Sequence, residues 1–167
     1  MKKFIISIDS GTTSNRSILF DLKGKPVFSS QKEFKQYFPK SGWVEHDPEE
    51  IWKTTVKTLK DVIAKAKRLR GKILTIGITN QRETTILWDK KSGEPVYKAI
   101  VWQDRRTEEY CKRLRKQNND TSIFNKTGLL IDPYFSGTKI KWILDNVPKA
   151  KKLLKKKQLL FGTIDSF

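Results

Sequence analysis

The chain has 167 residues, 37% of them hydrophobic, and includes five Trp and nine Phe. This composition can form a packed core, so it excludes a disordered chain, and the length fits one domain of ordinary size. The net charge of +17, from 35 Lys and Arg against 18 Asp and Glu, favours polyanions and raises nucleic-acid binding as a hypothesis.

The basic residues are mostly lysines on predicted helical faces, and they are densest over residues 149–157. No aromatic residue is interleaved with that cluster and no nucleic-acid-binding motif accompanies it. We therefore interpret the lysines as a solvated surface and expect no nucleic-acid partner.

No apolar run approaches the ~20 residues needed to span a bilayer, so we expect a cytoplasmic protein without a membrane span. The single cysteine, Cys111, cannot form an internal disulfide and is expected to be structural.

The first predicted elements are two strands, at the apolar runs 4–8 and 17–20. The polar turn between them exposes backbone N–H groups and offers Gly11 for the close approach of a ligand. It also carries three hydroxyls, those of Thr12, Thr13 and Ser14. Such a turn suits a phosphate, although a polar hairpin turn without a ligand remains the alternative when the motif is taken alone.

Two charged residues flank this turn. Asp9 follows the first strand and provides a carboxylate that a hard cation such as Mg²⁺ could use, directly or through water. Arg16, at the start of the second strand, could add positive charge beside a phosphate.

Residues 27–34 can return as a third antiparallel strand, and residues 38–46 look like a loop that leads into a helix. Asp47 as N-cap and Pro48 as the first helical residue mark the start of that helix, and Gly71 is the predicted end. His46, the only histidine, lies just before the cap, which indicates a role in local structure rather than in catalysis.

The next strand is predicted at residues 73–78, which are almost continuously apolar. Such a run is typical of a strand buried on both faces after a crossover helix, so we expect it to join the opening sheet. The polar residues 79–83 follow it directly. Because open α/β sheets commonly bind ligands where their strands end, these residues form a second candidate site.

The remaining elements alternate. Residues 84–89 and 97–102 are interpreted as a strand pair, and Asp104 as the cap of a helix that runs to about Lys116. The later predictions are a break at residues 118–120, a short helix from 121, a loop at 128–134, a helix at 136–146 with Ile140, Ile143 and Leu144 inward, a lysine-rich helix from Pro148, and a strand at 158–161. The chain stops at residues 162–167 as if it were cut short.

Five motifs together point to one family: residues 9–14, 42–48, 77–85, 101–107 and 132–136. With them the chain resembles, over essentially its whole length, the amino-terminal part of the glycerol kinases, a branch of the FGGY sugar-kinase family. The resemblance implies an α/β, ribonuclease H-like (actin-like ATPase) fold, with a mixed sheet that begins as three antiparallel strands and is flanked by helices. Residues 1–167 would then be the amino-terminal part of the first kinase domain, and the rest of that domain and the second domain would be absent.

The resemblance also implies roles for individual residues. The ATP phosphates would be met by Thr12, Thr13, Ser14 and Arg16, with Asp9 positioning Mg²⁺. The hydroxyls of glycerol would be held by Arg82, Glu83 and Tyr134, and Trp102 would pack on its carbon backbone. The full-length protein would phosphorylate glycerol to sn-glycerol 3-phosphate with ATP. The family's catalytic aspartate lies beyond the end of this chain, so the 167-residue chain alone is expected to be inactive.

Three residues depart from those usual in the family, namely Ser10, Asn15 and Gly137, and these small changes on a loop and a helix put nucleotide affinity in question. Two other functions stay open at this point. One is a kinase for another polyol or sugar of the same family, and the other is a non-catalytic actin-like module that binds a nucleotide or a polyanion. The resemblance leaves open whether the full-length protein is a homo-oligomer.

Overall fold

The computed structural model describes residues 1–117 and 119–167. The chain folds into two units, the first made of residues 1–36, 47–81 and 164–166 and the second of residues 37–46, 82–163 and 167. The elements up to residue 80 are β1 (Lys2–Ser10), β2 (Ser14–Asp21), β3 (Pro26–Glu33), β4 (Gln36–Tyr37), β5 (Glu45–His46), α1 (Pro48–Arg68) and β6 (Gly71–Asn80). Those that follow are β7 (Ile86–Asp89), β8 (Ala99–Ile100), α2 (Glu108–Lys116), α3 (Asn119–Thr127), α4 (Ser136–Asn146), α5 (Pro148–Lys155) and β9 (Leu159–Gly162).

A four-stranded mixed sheet organises the first unit, in the order β3-β2-β1-β6. β1 pairs antiparallel with β2, which pairs antiparallel with β3, while β6 runs parallel to β1. The alternation of buried and half-buried residues along β1 places Phe4, Ile6 and Ile8 on one face. The predictions of three opening antiparallel strands and of a later strand joining them are confirmed.

Helix α1 covers that apolar face of the sheet. Its start is as predicted: Pro48 is the first helical residue, and the carboxylate of Asp47 accepts a hydrogen bond from the Glu49 N–H at 3.0 Å. Val62 and Ala66 from the helix are fully buried. They pack with the sheet residues Phe4, Ile6, Ile8 and Leu19 into the core of this unit.

The end of α1 differs from the prediction that Gly71 stops it. The helix ends at Arg68, and Arg70, with φ 52°, takes the left-handed conformation that reverses the chain. Gly71 is instead the first residue of β6, where an added Cβ would lie 2.1 Å from the Phe4 ring. This glycine is therefore required by a close side-chain approach and not by its backbone conformation.

β6 is also more exposed than predicted. Leu74, Ile76 and Ile78 expose 47%, 44% and 59% of their surface, so the expectation of a strand buried on both faces is wrong for the described chain. The physical reason is position: β6 is an edge strand, and Ile73 is its contribution to the core that forms with α1.

The second unit contains two small sheets, one in the order β4-β5-β8 and one formed by β7 and β9. Two short strands, β4 and β5, therefore lie in and beside the segment predicted as a loop before α1. Residues 84–89 and 97–102 were expected to pair with each other, but the main partner of β7 is β9 and that of β8 is β5. A single bridge, between Thr85 and Ile100, remains of the predicted pair.

The helices of this unit lie close to their predicted positions, but the predicted cap of α2 is wrong. α4, α5 and the strand β9 are confirmed, and Ile143 lies fully buried in a core that Ile140 and Leu144 line. α2 ends near Lys116 as predicted, but its N-cap is Thr107 and not Asp104. The predicted break at residues 118–120 includes Asn118, which lies outside the described residues, and α3 begins at Asn119. Among the helices of the described residues, none combines the length and the apolar character that crossing a membrane requires.

Candidate functional site

The turn between β1 and β2 is a tight, fixed loop in the first unit. The Gly11 N–H donates to the Ser14 carbonyl at 3.0 Å, and a Cβ on Gly11 would lie 3.2 Å from that same oxygen. Gln81 fastens the loop from the end of β6: its side-chain amide donates to the Gly11 carbonyl at 3.0 Å, and its N–H donates to the Ser10 carbonyl at 2.8 Å. The loop is thus preorganised without a ligand.

The residues predicted to meet phosphate lie on or beside this loop. Thr12 is half-buried and Thr13 exposed, and the hydroxyl of Ser14 accepts a hydrogen bond from the Gln31 amide at 2.8 Å. Asp9 and Arg16 are opposite each other in the β1–β2 register, and their side chains form an ion pair at 3.5 Å. The structure therefore brings all five predicted residues to one end of the hairpin.

Asp9 suits a magnesium ion that a nucleotide would bring. Its side chain is 40% exposed, and its pairing with Arg16 is long, so carboxylate oxygens are accessible. Within residues 1–117 and 119–167, no group of three or more His, Cys, Asp or Glu could hold a metal. Mg²⁺ usually binds through one or two carboxylates together with substrate phosphates and water, so a lone aspartate beside a loop predicted to bind phosphate fits that ion.

Two of the family departures have structural explanations. Asn15 lies in β2 and not on the loop, and its fully buried amide donates to the Ile51 carbonyl at 2.9 Å and to the Thr54 hydroxyl at 2.6 Å. Its side chain is directed at α1. Ser10 is likewise buried at the end of β1. The buried Asn15 side chain therefore binds helix α1, and the effect of these departures on nucleotide affinity stays a prediction.

A second cluster lies in the second unit and centres on Glu83. This residue has φ 65°, a left-handed conformation that is uncommon outside glycine and is often found at functional sites. One carboxylate oxygen, Oε2, accepts hydrogen bonds from the Ser136 N–H at 2.9 Å and the Ser136 hydroxyl at 2.7 Å. Ser136 begins α4, so the carboxylate lies at the positive end of that helix.

The predicted aromatic residues are close to each other in this unit. The rings of Trp102 and Tyr134 meet edge to face, with centroids 5.9 Å apart. The backbone of Tyr134 is fixed by its N–H, which donates to the Asp132 carboxylate at 2.7 Å. Arg82, next to Glu83 in the chain, is exposed. The Glu83 carboxylate bonds Ser136 through Oε2, and Glu83 and Tyr134 are both partly exposed, so both can meet a ligand.

Sequence reasoning missed Lys139, which is fully buried in α4. Its ammonium group donates to the Glu83 carbonyl at 2.9 Å and to the Tyr134 carbonyl. Burial lowers its pKa to about 8, although carboxylates, first that of Glu83, act in the opposite direction. The helical spacing offered a signal, because Lys139 precedes the buried Ile143 by one turn and so lies on the inward face of the helix.

Another buried charged cluster supports this unit from within. The guanidinium of Arg106 donates to the Glu45 carboxylate at 2.8 Å and to the Asp104 carboxylate at 2.9 Å, and it stacks 3.8 Å from the Trp43 ring. The Tyr97 hydroxyl also donates to Glu45, at 2.7 Å. The side chain of Arg106 has no exposed surface. Two of the five family motifs, 42–48 and 101–107, therefore meet in a structural ion cluster.

The sheet order and its flanking helices define an α/β fold of the actin-like ATPase class. Comparison with known proteins narrows this class. Residues 4–167 match the model of the FGGY family of carbohydrate kinases, N-terminal domain. The chain belongs to that family, which confirms the resemblance seen in its motifs.

Individual relatives are also similar. The chain is 60% identical to a glycerol kinase from Oceanobacillus iheyensis over 99% of its own length and 33% of that protein. The crystal structure of Plasmodium falciparum glycerol kinase with ADP superposes with a TM-score of 0.92 at 36% identity, over 98% of this chain and 33% of that one. Gluconate kinase from Lactobacillus acidophilus gives 0.82 at 26% identity, over 98% and 32%. The chain thus spans about a third of the length of the relatives it matches.

Proposed function

We propose that the complete protein transfers the γ-phosphoryl group of ATP to glycerol and forms sn-glycerol 3-phosphate. The observation that carries this proposal is the cluster of a carboxylate oxygen on Glu83, the Tyr134 hydroxyl and the Trp102 ring, all in one unit. Relatives named glycerol kinase at 54–60% identity support it. Residues 1–167 would form the amino-terminal part of the first kinase domain, and we place the enzyme in the cytoplasm, where ATP is available.

The residue chemistry of the cluster matches a small polyol. Glycerol offers only hydroxyls and a carbon backbone, so Glu83 would accept hydrogen bonds from it while Arg82 and Tyr134 donate. The Trp102 ring would cover the carbons. A site that satisfies each hydroxyl rejects ligands that leave its polar groups unpaired.

The hairpin loop of the first unit would bind the other substrate. Its backbone N–H groups and the hydroxyls of Thr12, Thr13 and Ser14 would contact the ATP phosphates, and Arg16 would add positive charge. Asp9 would hold Mg²⁺, which neutralises phosphate charge when bound. Phosphoryl transfer also needs a group that accepts the proton of the glycerol hydroxyl, for which the family resemblance implies an aspartate outside these 167 residues. We therefore expect the 167-residue chain alone not to phosphorylate glycerol.

Substrate profiling of the complete protein tests this proposal. ADP formation would be measured with glycerol, xylulose and gluconate, and we expect kcat/KM to be highest for glycerol. The variant Glu83→Gln should raise the glycerol KM about 10- to 100-fold, because a hydrogen bond to a charged acceptor is lost. The ATP KM should change less than about twofold, and Glu94→Gln, at a surface carboxylate that is 69% exposed, should change neither.

Two outcomes would favour other functions. A preference for the pentulose or for gluconate would identify a sibling kinase of the same family. Absence of turnover with every polyol, together with nucleic-acid binding that weakens steeply as salt rises, would instead support a polyanion-binding module.

A further inference from the structure

Lys139 is a buried cation that touches two residues of the candidate polyol site through their backbone. Its side chain has no exposed surface, and its Nζ donates to the carbonyls of Glu83 and Tyr134. Lysine is rarely fully buried, because its ammonium group loses its hydration. An apolar side chain of similar length would fill the same space, so the hydrogen bonds are what distinguish lysine at this position.

The two carbonyls belong to segments far apart in the sequence, and one of them is conformationally demanding. Glu83 has φ 65°, a backbone state that persists only when its surroundings fix it. Helix α4 supplies two such fixing contacts: Ser136 binds the Glu83 carboxylate, and Lys139 binds the Glu83 carbonyl. The Thr85 hydroxyl donates to the same carbonyl at 3.1 Å, and helix α4 contacts both the backbone and the side chain of Glu83.

The same ammonium group ties Tyr134 to that arrangement. It donates to the Tyr134 carbonyl and lies 5.9 Å from the centre of the Tyr134 ring, which packs edge to face with Trp102. We propose that Lys139 is a positioning residue for the polyol site, which holds the backbones of Glu83 and Tyr134 at a fixed separation so that carboxylate and phenol face one small ligand. This inference rests on the proposed function of the cluster as a polyol site.

The charge environment is consistent with a protonated donor at neutral pH. Burial lowers the pKa of Lys139 to about 8, and the groups that act on its charge are Glu83, Asp104, Asp132 and Cys111. At pH 7 most molecules would carry the ammonium form, which can donate to both carbonyls at once.

The test is Lys139→Met in the complete protein, compared with Lys141→Met. Lys141 lies on the same helix but is exposed and pairs with Asp145, so it serves as a matched control. We expect Lys139→Met to raise the glycerol KM about tenfold or more, with the ATP KM within about twofold of wild type. Lys139→Arg, which keeps charged donors, should recover part of the loss, and Lys141→Met should leave all constants unchanged.

Three results would overturn the inference. They are an unchanged glycerol KM in folded Lys139→Met, equal increases in both KM values, and no difference between the Met and Arg variants. If Lys139→Met does not fold, Lys139→Gln, with a shorter neutral donor, serves the same KM comparison. Wild-type turnover of a different polyol or sugar would refute the proposed substrate but not this inference, because the same variants would then be compared on that substrate.

Discussion

His46 illustrates how burial sets the chemistry of a single residue. It is fully buried in β5, opposite Ala99, and burial lowers the pKa of its imidazole from 6.5 to about 4. The side chain is therefore neutral at physiological pH, as expected for a residue with a structural role. The sequence position just before a helix cap predicted that role, but it could not predict burial, which depends on the pairing of β5 with β8.

A pH titration tests the lowered pKa of His46. Because the folded pKa is lower than the unfolded one, His46 contributes its full stabilisation above pH 6.5 and loses it as the pH falls through 4. The difference between the unfolded and the folded pKa of His46 corresponds to about 3 kcal/mol in the free energy of unfolding. In NMR spectra, the His46 Hε1 signal, assigned with His46→Gln, should stay constant from pH 8 to pH 5. A midpoint near 6.5 in the folded protein would contradict the buried environment.

Arg106 shows that a diagnostic motif need not be a binding motif. Residues 42–48 and 101–107 helped to identify the family, yet their polar side chains Glu45, Asp104 and Arg106 are buried against one another. A sequence motif alone cannot distinguish polar residues that bind a ligand from polar residues that form an internal ion pair, because both roles require the same polar groups. Asp104 was predicted as a helix cap for the same reason, but its carboxylate binds Val44 and Arg106 instead.

Substituting Arg106 should therefore affect folding. Arg106→Met leaves two buried carboxylates without their cation, and removing one partner of a buried ion pair costs about 3–5 kcal/mol. Arg105→Met is the neighbouring control, since Arg105 is 52% exposed and its pairs with Glu108 and Asp132 are solvated; it should cost about 1 kcal/mol or less. Urea unfolding of both variants measures the difference. Equal destabilisation would show that the buried cluster contributes no more than the surface pairs.

At the level of elements, local signals located segments but not partners. The Asp-Pro start of α1 and the apolar spacing of α4 are signals that depend only on residues within a turn of one another. Both helices were therefore predicted correctly from the sequence. Strand partners depend on contacts between distant segments: β7 pairs with β9 across the whole of α2 to α5, which no pattern near Ile86 indicates. The candidate site residues followed from motifs and from the end of a predicted strand, which included Gln81, whereas the partners of Gln81 and Lys139 became evident only from their hydrogen bonds.

The junction between α1 and β6 gives a prediction at this scale. Gly71→Ala would place a Cβ 2.1 Å from the ring of Phe4, a core residue, so the ring or the strand must shift. Overpacking of this kind costs about 1–3 kcal/mol. Gly77→Ala, in the same strand, meets no heavy atom within 4 Å and should be neutral or slightly stabilising. Thermal unfolding midpoints of the two variants measure the difference, and equal midpoints would show that the Phe4 ring moves aside without cost.

For the whole chain, two properties have opposite effects on self-association. The net charge of +17 repels other copies of the chain. The edge strand β6, however, exposes Leu74, Ile76 and Ile78 and offers unpaired backbone groups to another strand. Charge repulsion between exposed groups is screened within about 8 Å at physiological salt, whereas burial of apolar surface is not weakened by salt. The apolar edge should therefore dominate as the ionic strength rises.

We accordingly expect the 167-residue chain, expressed alone, to self-associate, and more so at 0.5 M than at about 0.05 M salt, where the Debye length is greater than 10 Å. Ile78→Lys should shift the population toward monomer, because it places a charge on the edge that pairing would have to bury. Ser29→Lys, on the exposed face of the opposite edge strand β3, adds the same charge away from β6 and should leave association unchanged. Size-exclusion chromatography with light scattering measures the mass directly. Monomers at every salt concentration, or equal rescue by both lysines, would show that net charge and not the β6 edge governs the behaviour of the chain.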